Sequence, residues 1–316
     1  MSKFAFIFPG QGSQFIGMGK DLADNFASAK AVFEEVDAAL GQDLSGLIWS
    51  GSEDELKLTA NTQPALMAVS VAAMRALEEA HGIGADKAAF IAGHSLGEYS
   101  ALASAGAISV GDCAKVLRIR GNAMQDAVPA GEGAMAALLG ASPEQAAGLC
   151  AAGASEGPCE IANDNAPGQI VISGAKAAVE LAISGAKEAG VKKAVLLPVS
   201  APFHCSLMQP AADAMAEALS NIKIKSPSAP LVANVTAAAG SDAGAIRQQL
   251  IDQVTGQVRW TESVQFMAAE GVEVTIEAGA GKVLSVMNRR TVRSLEGLTM
   301  GTPEEIEAVA ERLNAE

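Results

Sequence analysis

Short apolar runs alternate with longer amphipathic segments along the first 130 residues of the chain. Residues 4–8 (FAFIF) and 88–92 (AAFIA) are continuous apolar runs, as expected for strands that are covered on both faces. Apolar residues recur with helical spacing in four other segments, 21–40, 61–80, 96–105 and 110–127. Strands that alternate with helices in this way predict an α/β domain with a mostly parallel sheet.

The middle of the chain follows a different pattern. Strand-like runs occur at 133–139, 159–162, 169–173 and 193–199, with helical segments at 142–152 and 176–189. The order β-α-β-β-α-β is that of ferredoxin-like domains, and turn-forming sequences (PAG at 129–131, PVSAP at 198–202) stand at both ends. We therefore predict a small domain of residues 129–199, inserted into a large domain of residues 1–128 and 200–316.

The C-terminal part returns to the first pattern. It contains strand-like runs at 231–235 and 272–277 and helical segments at 242–254 and 263–269. A final helix is predicted after Thr302, because TPEE places a capping threonine, a proline and a glutamate at the positions of a capping box.

Composition narrows the class of protein. Hydrophobic residues make up 49% of the 316 residues, which is enough for a large core. The net charge of −14 argues against general affinity for nucleic acid or anionic membranes. No apolar run approaches the roughly 18 residues of a membrane span, and the N-terminus lacks the features of a signal peptide. The four cysteines have no metal-ligand spacing, so we expect reduced thiols, a cytoplasmic protein and no bound metal.

The clearest chemical signal is GHSLG at residues 93–97, between a predicted strand and a predicted helix. A Gly-x-Ser-x-Gly sequence in this position is typical of a nucleophile elbow, which exposes the serine at the carboxyl edge of a sheet. An ordinary glycine-rich turn is the alternative. Ser95 is thus the candidate nucleophile, and the backbone N–H of Leu96, at the start of the helix, is a candidate oxyanion donor.

A serine nucleophile needs a base, and the chain contains three histidines. His94 adjoins Ser95, and neighbouring side chains diverge on a sharp turn. His81 precedes a glycine at a predicted helix end, where a histidine usually belongs to the cap region. His204 follows a strand and a proline-rich turn, where α/β enzymes collect site residues. His204 is therefore the candidate base.

The group that orients this base is not determined by the pattern. A backbone carbonyl would serve, and so would one of several carboxylates, namely Asp213, Asp242, Asp252 and Glu277. The loop FPGQGSQ after the first strand is neither a dinucleotide fingerprint nor a P-loop. The N–H of Gln11 in this loop is a second candidate oxyanion donor.

Several motifs occur together and in order: FPGQGSQ, NTQPAL, GHSLGEYSAL, RGNAMQ, PFHCSLM, ANVTA, VRWTESV and EAGAGKVLS. With them, the sequence closely resembles the malonyl-CoA:acyl carrier protein transacylases of fatty acid synthesis over essentially its whole length. The resemblance implies an α/β-hydrolase-like large domain and a ferredoxin-like small domain. Cys205 departs from the serine usual after the histidine, which implies altered packing or an alkylatable thiol beside the base.

The same resemblance assigns the site. It implies Ser95 as nucleophile, His204 as base oriented by the backbone carbonyl of Gln253, and the N–H groups of Gln11 and Leu96 as oxyanion donors. Arg120 would hold the malonyl carboxylate, for which its planar guanidinium is suited. Neither a metal nor another cofactor is needed.

The implied partners are malonyl-CoA and an acidic acyl carrier protein, and we expect the enzyme to be a monomer. Lys282, Arg289 and Arg293 would form one basic stripe on a predicted helix, suited to docking the carrier; an ordinary solvated face is the alternative. Three other functions are kept open: a serine hydrolase or thioesterase, an acyltransferase of a polyketide pathway, and a non-catalytic scaffold.

Overall fold

The computed structural model describes residues 2–199 and 201–315. The predicted domain boundary at Ser200, like residues 1 and 316, lies outside this part. The strands are β1 (Phe4–Phe8), β2 (Phe90–Gly93), β3 (Gly133–Leu139), β4 (Cys159–Ala166), β5 (Gln169–Ala175), β6 (Lys193–Leu196), β7 (Leu231–Val232), β8 (Ala239–Gly240), β9 (Val274–Ala278) and β10 (Glu296–Met300).

The helices surround two sheets. They are α1 (Lys20–Asn25), α2 (Ala27–Leu40), α3 (Leu44–Ser50), α4 (Glu53–Lys57), α5 (Thr59–His81), α6 (Gly97–Ser104), α7 (Val110–Asp126), α8 (Pro143–Gly153), α9 (Lys176–Ser184), α10 (Gln209–Ser220), α11 (Ala243–Thr255), α12 (Trp260–Ala269), α13 (Val283–Thr291) and α14 (Pro303–Asn314).

The first sheet has the order β10-β9-β1-β2-β7-β8, and every pair in it except β7–β8 is parallel. It is covered on both faces, as the apolar runs predicted. Phe6 and Phe8 of β1 belong to a core shared with α5, α6 and α7, whereas Ala5 and Ile7 pack with α12. Because β1 and β2 lie in the middle of this sheet, the loops at their carboxyl ends meet over its centre.

The second sheet has the order β4-β5-β3-β6, and all its pairs are antiparallel. One face packs on α8 and α9 in a separate apolar cluster, which contains Leu138, Leu149 and Ile172. At the edge of this sheet, Asn163 of β4 forms a bridge with Val258, in the segment between α11 and α12. The predicted change of pattern after residue 128 is thus confirmed at the level of a mostly parallel sheet and an antiparallel sheet.

Some predicted boundaries are wrong. The segment 21–40 is two helices, because Phe26 is extended and its side chain packs against the core. The helix predicted for 176–189 ends at Ser184, and the strand predicted for 193–199 ends at Leu196. At α14, Thr302 accepts the N–H of Glu305 as predicted, but Glu305 accepts the N–H of Gly301 rather than closing a capping box.

Within residues 2–199 and 201–315, none of the helices combines the length and the apolar character that crossing a bilayer requires.

Candidate active site

Ser95 lies at a sharp turn between β2 and α6, at the carboxyl edge of the parallel sheet. Its backbone has a φ of 53°, in the left-handed region that side chains other than glycine rarely adopt. The turn is tight because Gly93 and Gly97 touch: a Cβ on Gly93 would lie 1.9 Å from the carbonyl carbon of Gly97. A Cβ on Gly97 would lie 2.2 Å from the carbonyl oxygen of Phe8. The sequence GHSLG therefore forms the predicted elbow.

Ser95 and His204 are in contact. Ser95 Oγ lies 2.8 Å from His204 Nε2, and His204 Nδ1 lies 2.9 Å from the backbone carbonyl oxygen of Gln253. A carbonyl oxygen only accepts, so Nδ1 carries the proton and Nε2 is free to accept the serine hydroxyl proton. None of the four carboxylates that the sequence left open bonds His204; Glu277, for example, accepts the N–H groups of Leu284 and Ser285.

Burial keeps this imidazole neutral. His204 is 4% exposed, and burial, followed by the positive charge of Arg120, lowers its pKa to about 3. His81 contacts Glu307 at the surface. His94 lines the same cavity as Ser95, but it is held by Asn165, with Nε2 and Oδ1 2.7 Å apart. A neutral base next to a hydroxyl group is the arrangement that nucleophilic catalysis requires.

Arg120 reaches the same point from α7. It is 1% exposed, and its guanidinium donates to Ser95 Oγ at 3.1 Å, Gln253 Oε1 at 2.9 Å and Gln63 Oε1 at 2.7 Å. Its Cζ also lies 5.6 Å from the centre of the Tyr99 ring. Arg118, two residues earlier, bonds Gln42 instead. The two arginines thus have different partners, and Arg120 places a buried cation beside the hydroxyl group of Ser95.

A cavity of about 210 Å³ opens in front of Ser95. Gln11 and Leu96 both line it, and within the described ranges their backbone N–H groups donate to no other protein atom. The antiparallel sheet and the segment after it supply the opposite wall, which is mostly apolar: Met135, Asn163, Asn165, Val171, Leu197 and Val199. The cavity therefore brings together the Ser95 hydroxyl group, the backbone N–H groups of Gln11 and Leu96, a buried cation and an apolar wall.

Sequence reasoning missed several residues that hold this arrangement. Asn234 accepts the N–H of Ser95 at 2.8 Å and donates to the carbonyl oxygen of Gly93 at 2.7 Å, so it spans the strained turn. The side chain of Gln253 donates to the carbonyl oxygen of Ser95 at 3.0 Å and to Glu98 at 2.8 Å. Asn234 and Glu98 lie in the motifs ANVTA and GHSLGEYSAL, and Gln253 lies between ANVTA and VRWTESV, but their spacing does not indicate which contacts they make.

The predicted basic stripe is only partly helical. α13 contains Arg289 in its last turn, whereas Lys282 is the residue before its first turn and Arg293 lies beyond its end. The helix ends early because Val292 is extended. All three side chains are exposed, close to the exposed Val283 and Val286. The prediction of one helical stripe is therefore wrong, although the charges remain on the same segment.

Cys205 is completely buried, and its thiol donates to the carbonyl oxygen of Pro202 at 3.1 Å. Burial raises its pKa to about 11, so the reactive thiolate is scarce at neutral pH. These contacts favour the packing interpretation of the cysteine over that of an alkylatable thiol.

Comparison with known proteins identifies the family of this chain. A model of the acyl transferase domain matches residues 5–311, so the class is that of the acyl transferases. A malonyl CoA-acyl carrier protein transacylase of Bacillus subtilis (strain 168) is 47% identical, over 100% of this chain and 99% of the relative. The chain belongs to the malonyl-CoA:acyl carrier protein transacylase family, as its motifs predicted.

Two solved structures are similar to this chain over nearly its whole length. The crystal structure of an acyl-carrier-protein-S-malonyltransferase from Bartonella henselae superposes with a TM-score of 0.96 at 54% identity, covering 98% of this chain and 99% of that one. A second neighbour is a malonyl-transacylase in complex with the holo acyl-carrier protein of a type II polyketide synthase. Its TM-score is 0.95 at 42% identity, covering 98% of this chain and 100% of that one.

Proposed function

We propose that the protein transfers the malonyl group of malonyl-CoA to the phosphopantetheine thiol of an acyl carrier protein, through an ester on Ser95. The observation that carries this proposal is the contact of one hydroxyl group with both a neutral imidazole and a buried guanidinium. The first contact provides a nucleophile, and the second provides a partner for the distal carboxylate that distinguishes malonyl from acetyl groups.

In the first half of the reaction, His204 Nε2 accepts the proton of Ser95 Oγ as the oxygen attacks the thioester carbonyl. The N–H groups of Gln11 and Leu96 stabilise the oxyanion that develops. Collapse of the tetrahedral intermediate breaks the C–S bond, and CoA leaves with the proton from His204. The carbonyl of Gln253 keeps the imidazole in the correct tautomer throughout.

In the second half, the thiol of the carrier's phosphopantetheine attacks the malonyl ester. His204 accepts the thiol proton and returns it to Ser95 Oγ as the ester bond breaks. Every proton and bond change is thus accounted for by the two substrates and the Ser–His pair. We propose that no metal or other cofactor takes part.

Arg120 supplies the selectivity. Its guanidinium is buried, and within residues 2–199 and 201–315 its hydrogen bonds go to the neutral Gln63, Ser95 and Gln253. A malonyl carboxylate can pair with it directly, whereas an acetyl group offers no such partner and forgoes an interaction worth several kcal/mol. This asymmetry favours dicarboxylic acyl groups.

We further propose that the carrier docks beside α13, where Lys282, Arg289 and Arg293 offer positive charge next to the exposed apolar Val283 and Val286. Reversing the charge of Arg289 and Arg293 should raise the apparent KM for the carrier and leave the KM for malonyl-CoA unchanged. Equal effects on both KM values, or no effect on either, would contradict the proposed docking site.

We further propose that each of the two sheets belongs to its own domain. The strand order β4-β5-β3-β6, with two helices on one face, supports a ferredoxin-like domain of residues 129–199. The parallel sheet with its elbow supports an α/β-hydrolase-like domain of residues 1–128 and 200–316. We propose that the enzyme works as a monomer in the cytoplasm.

Assays with labelled malonyl-CoA test the function against hydrolysis. With a holo acyl carrier protein present, we expect label on the carrier and little free malonate. Release of malonate at an equal rate with and without the carrier would identify a hydrolase instead. Offering carriers of fatty acid and of polyketide synthesis in parallel, and comparing kcat/KM, assigns the pathway.

A further inference from the structure

One buried carboxyl group lies behind the nucleophile and has no part in the proposed reaction. Glu98, in the first turn of α6, is completely buried. Its Oε2 accepts the N–H of Asn234 at 3.1 Å and Nε2 of Gln253 at 2.8 Å. Its Oε1 has no hydrogen-bond partner in the part of the chain that the structure describes. A buried acceptor without a donor is costly, and such groups concentrate at functional sites.

Glu98 and Arg120 are connected through a single side chain. Gln253 donates to Glu98 through Nε2 and accepts from Arg120 through Oε1. Between residues 2 and 315, with Ser200 left aside, Arg120 forms no salt bridge of its own. The site therefore holds a guanidinium and a carboxyl group, which are separated by one amide group and shielded from water.

We propose that Glu98 balances the charge of Arg120 in the empty enzyme and takes up a proton from solvent when a malonyl carboxylate pairs with Arg120. This inference rests on the proposed role of Arg120. A bound malonyl group brings a second negative charge into the same buried region, and two carboxylates near one cation disfavour full ionisation of both. Glu98 is thus a positioning residue that couples acyl binding to pH.

The neighbours of Glu98 leave it as the group that titrates near neutral pH. Burial raises its pKa to about 7, although the Asn234 N–H, Gln253 and Arg120 each oppose this shift. Arg120 on α7 and Tyr99 on α6 interact electrostatically with Glu98. Cys113 on α7 contacts Tyr99, and His204 is influenced by Arg120. Burial raises the pKa of Tyr99 and that of Cys113 well above their usual ranges, and it lowers the pKa of His204 to about 3.

We expect the apparent affinity for malonyl-CoA to fall as the pH rises above 7. Below pH 7, Glu98 is already protonated, and malonyl-CoA binds an unbalanced Arg120. Above pH 7, the carboxylate must first be protonated, so the apparent affinity for malonyl-CoA falls by up to about tenfold per pH unit.

The variant Glu98→Gln removes the charge with little change in shape. Its amide oxygen can take the place of Oε2 and keep both accepted hydrogen bonds, while the amide nitrogen replaces the unpartnered Oε1. Glu277→Gln is the matched control, because Glu277 is equally buried, but its carboxylate accepts from Leu284 and Ser285 instead of Gln253.

The kinetic test measures KM and kcat for malonyl-CoA from pH 6 to 9. We expect the wild-type KM to rise about tenfold or more above pH 7, and that of Glu98→Gln to stay low and flat. Glu277→Gln should keep the wild-type slope. A flat wild-type KM, or the same slope in Glu98→Gln, overturns the inference.

A binding test does not depend on the folding of Glu98→Gln. In a Ser95→Ala background, calorimetry of malonyl-CoA binding at pH 8, in buffers of different ionisation enthalpy, should detect proton uptake. Acetyl-CoA should cause none. If malonyl-CoA binds Arg120→Ala as tightly as its Ser95→Ala parent, the proposed function of Arg120 fails. If binding requires Arg120 but takes up no proton, the inference about Glu98 alone fails.

Discussion

The two walls of the cleft differ in how their polar groups are held. On the side of the parallel sheet, Ser95, Arg120 and Gln253 share a continuous hydrogen-bond network. On the side of the antiparallel sheet, the lining is mostly apolar, and Asn165 is bonded across the cleft to His94. We infer that the first wall, on the side of the parallel sheet, carries the chemistry. The second wall, on the side of the antiparallel sheet, shapes the space for the acyl group and the phosphopantetheine arm.

Backbone strain follows the same division. Ser95 and His204 both have a positive φ, of 53° and 58°, and both belong to the first wall. Strained residues persist only where the surrounding structure fixes them. Asn234 holds the turn at Ser95, because it accepts the Ser95 N–H and donates to the carbonyl oxygen of Gly93. Mutations in the two walls should therefore have different kinetic signatures.

The largest effect is expected for Arg120→Ala. Loss of a buried charge-assisted pair, worth about 3–4 kcal/mol, should lower kcat/KM for malonyl-CoA about 10²- to 10³-fold. Activity with acetyl-CoA should fall much less, because that substrate has no distal carboxylate. Arg118→Ala on the same helix is the matched control, since Arg118 bonds Gln42 away from the cleft. An equal loss with both substrates would contradict the proposed selectivity.

A smaller effect is expected for Asn234→Ala. The variant leaves the Ser95 N–H and the Gly93 carbonyl without their partner, so the elbow loses its support. We expect kcat to fall roughly 10- to 100-fold with little change in KM, as for a lost positioning contact. Asn288→Ala, which removes a buried bond to Trp260, controls for general destabilisation. A change in KM alone would contradict the expectation that the first wall acts on kcat.

The smallest effect is expected in the second wall. Leu197→Ala removes apolar contact surface from the cleft, so the KM for malonyl-CoA should rise about two- to tenfold while kcat is retained. Steady-state kinetics on the folded variant tests this expectation. A large loss of kcat would mean that the antiparallel sheet takes part in the chemistry.

Local patterns sufficed to predict much of this molecule. The apolar runs predicted the central strands, and GHSLG between a strand and a helix pointed to Ser95, because an elbow depends on residues adjacent in sequence. His204 was identified by its position after a strand. The family resemblance added Arg120 and the carbonyl of Gln253. Arg120 donates to Ser95 Oγ, and the Gln253 carbonyl oxygen lies 2.9 Å from His204 Nδ1, but their roles stay predictions.

The side-chain contacts of Gln253 and Asn234 with Ser95 were not predicted from the sequence. Gln253 reaches Ser95 across 158 positions of sequence, and Asn234 reaches it across 139. No local periodicity encodes such a pairing. The end of α13 before Arg293 and the break at Phe26 were missed for a related reason, because packing by the rest of the fold overrides helical spacing there.

Mass spectrometry of the protein after incubation with malonyl-CoA, without any carrier, shows whether Ser95 carries the acyl group. We expect one malonyl group on the peptide that contains Ser95, and none on Ser95→Ala. A folded wild-type protein that remains unmodified, or a malonyl group that persists on Ser95→Ala, would contradict this expectation.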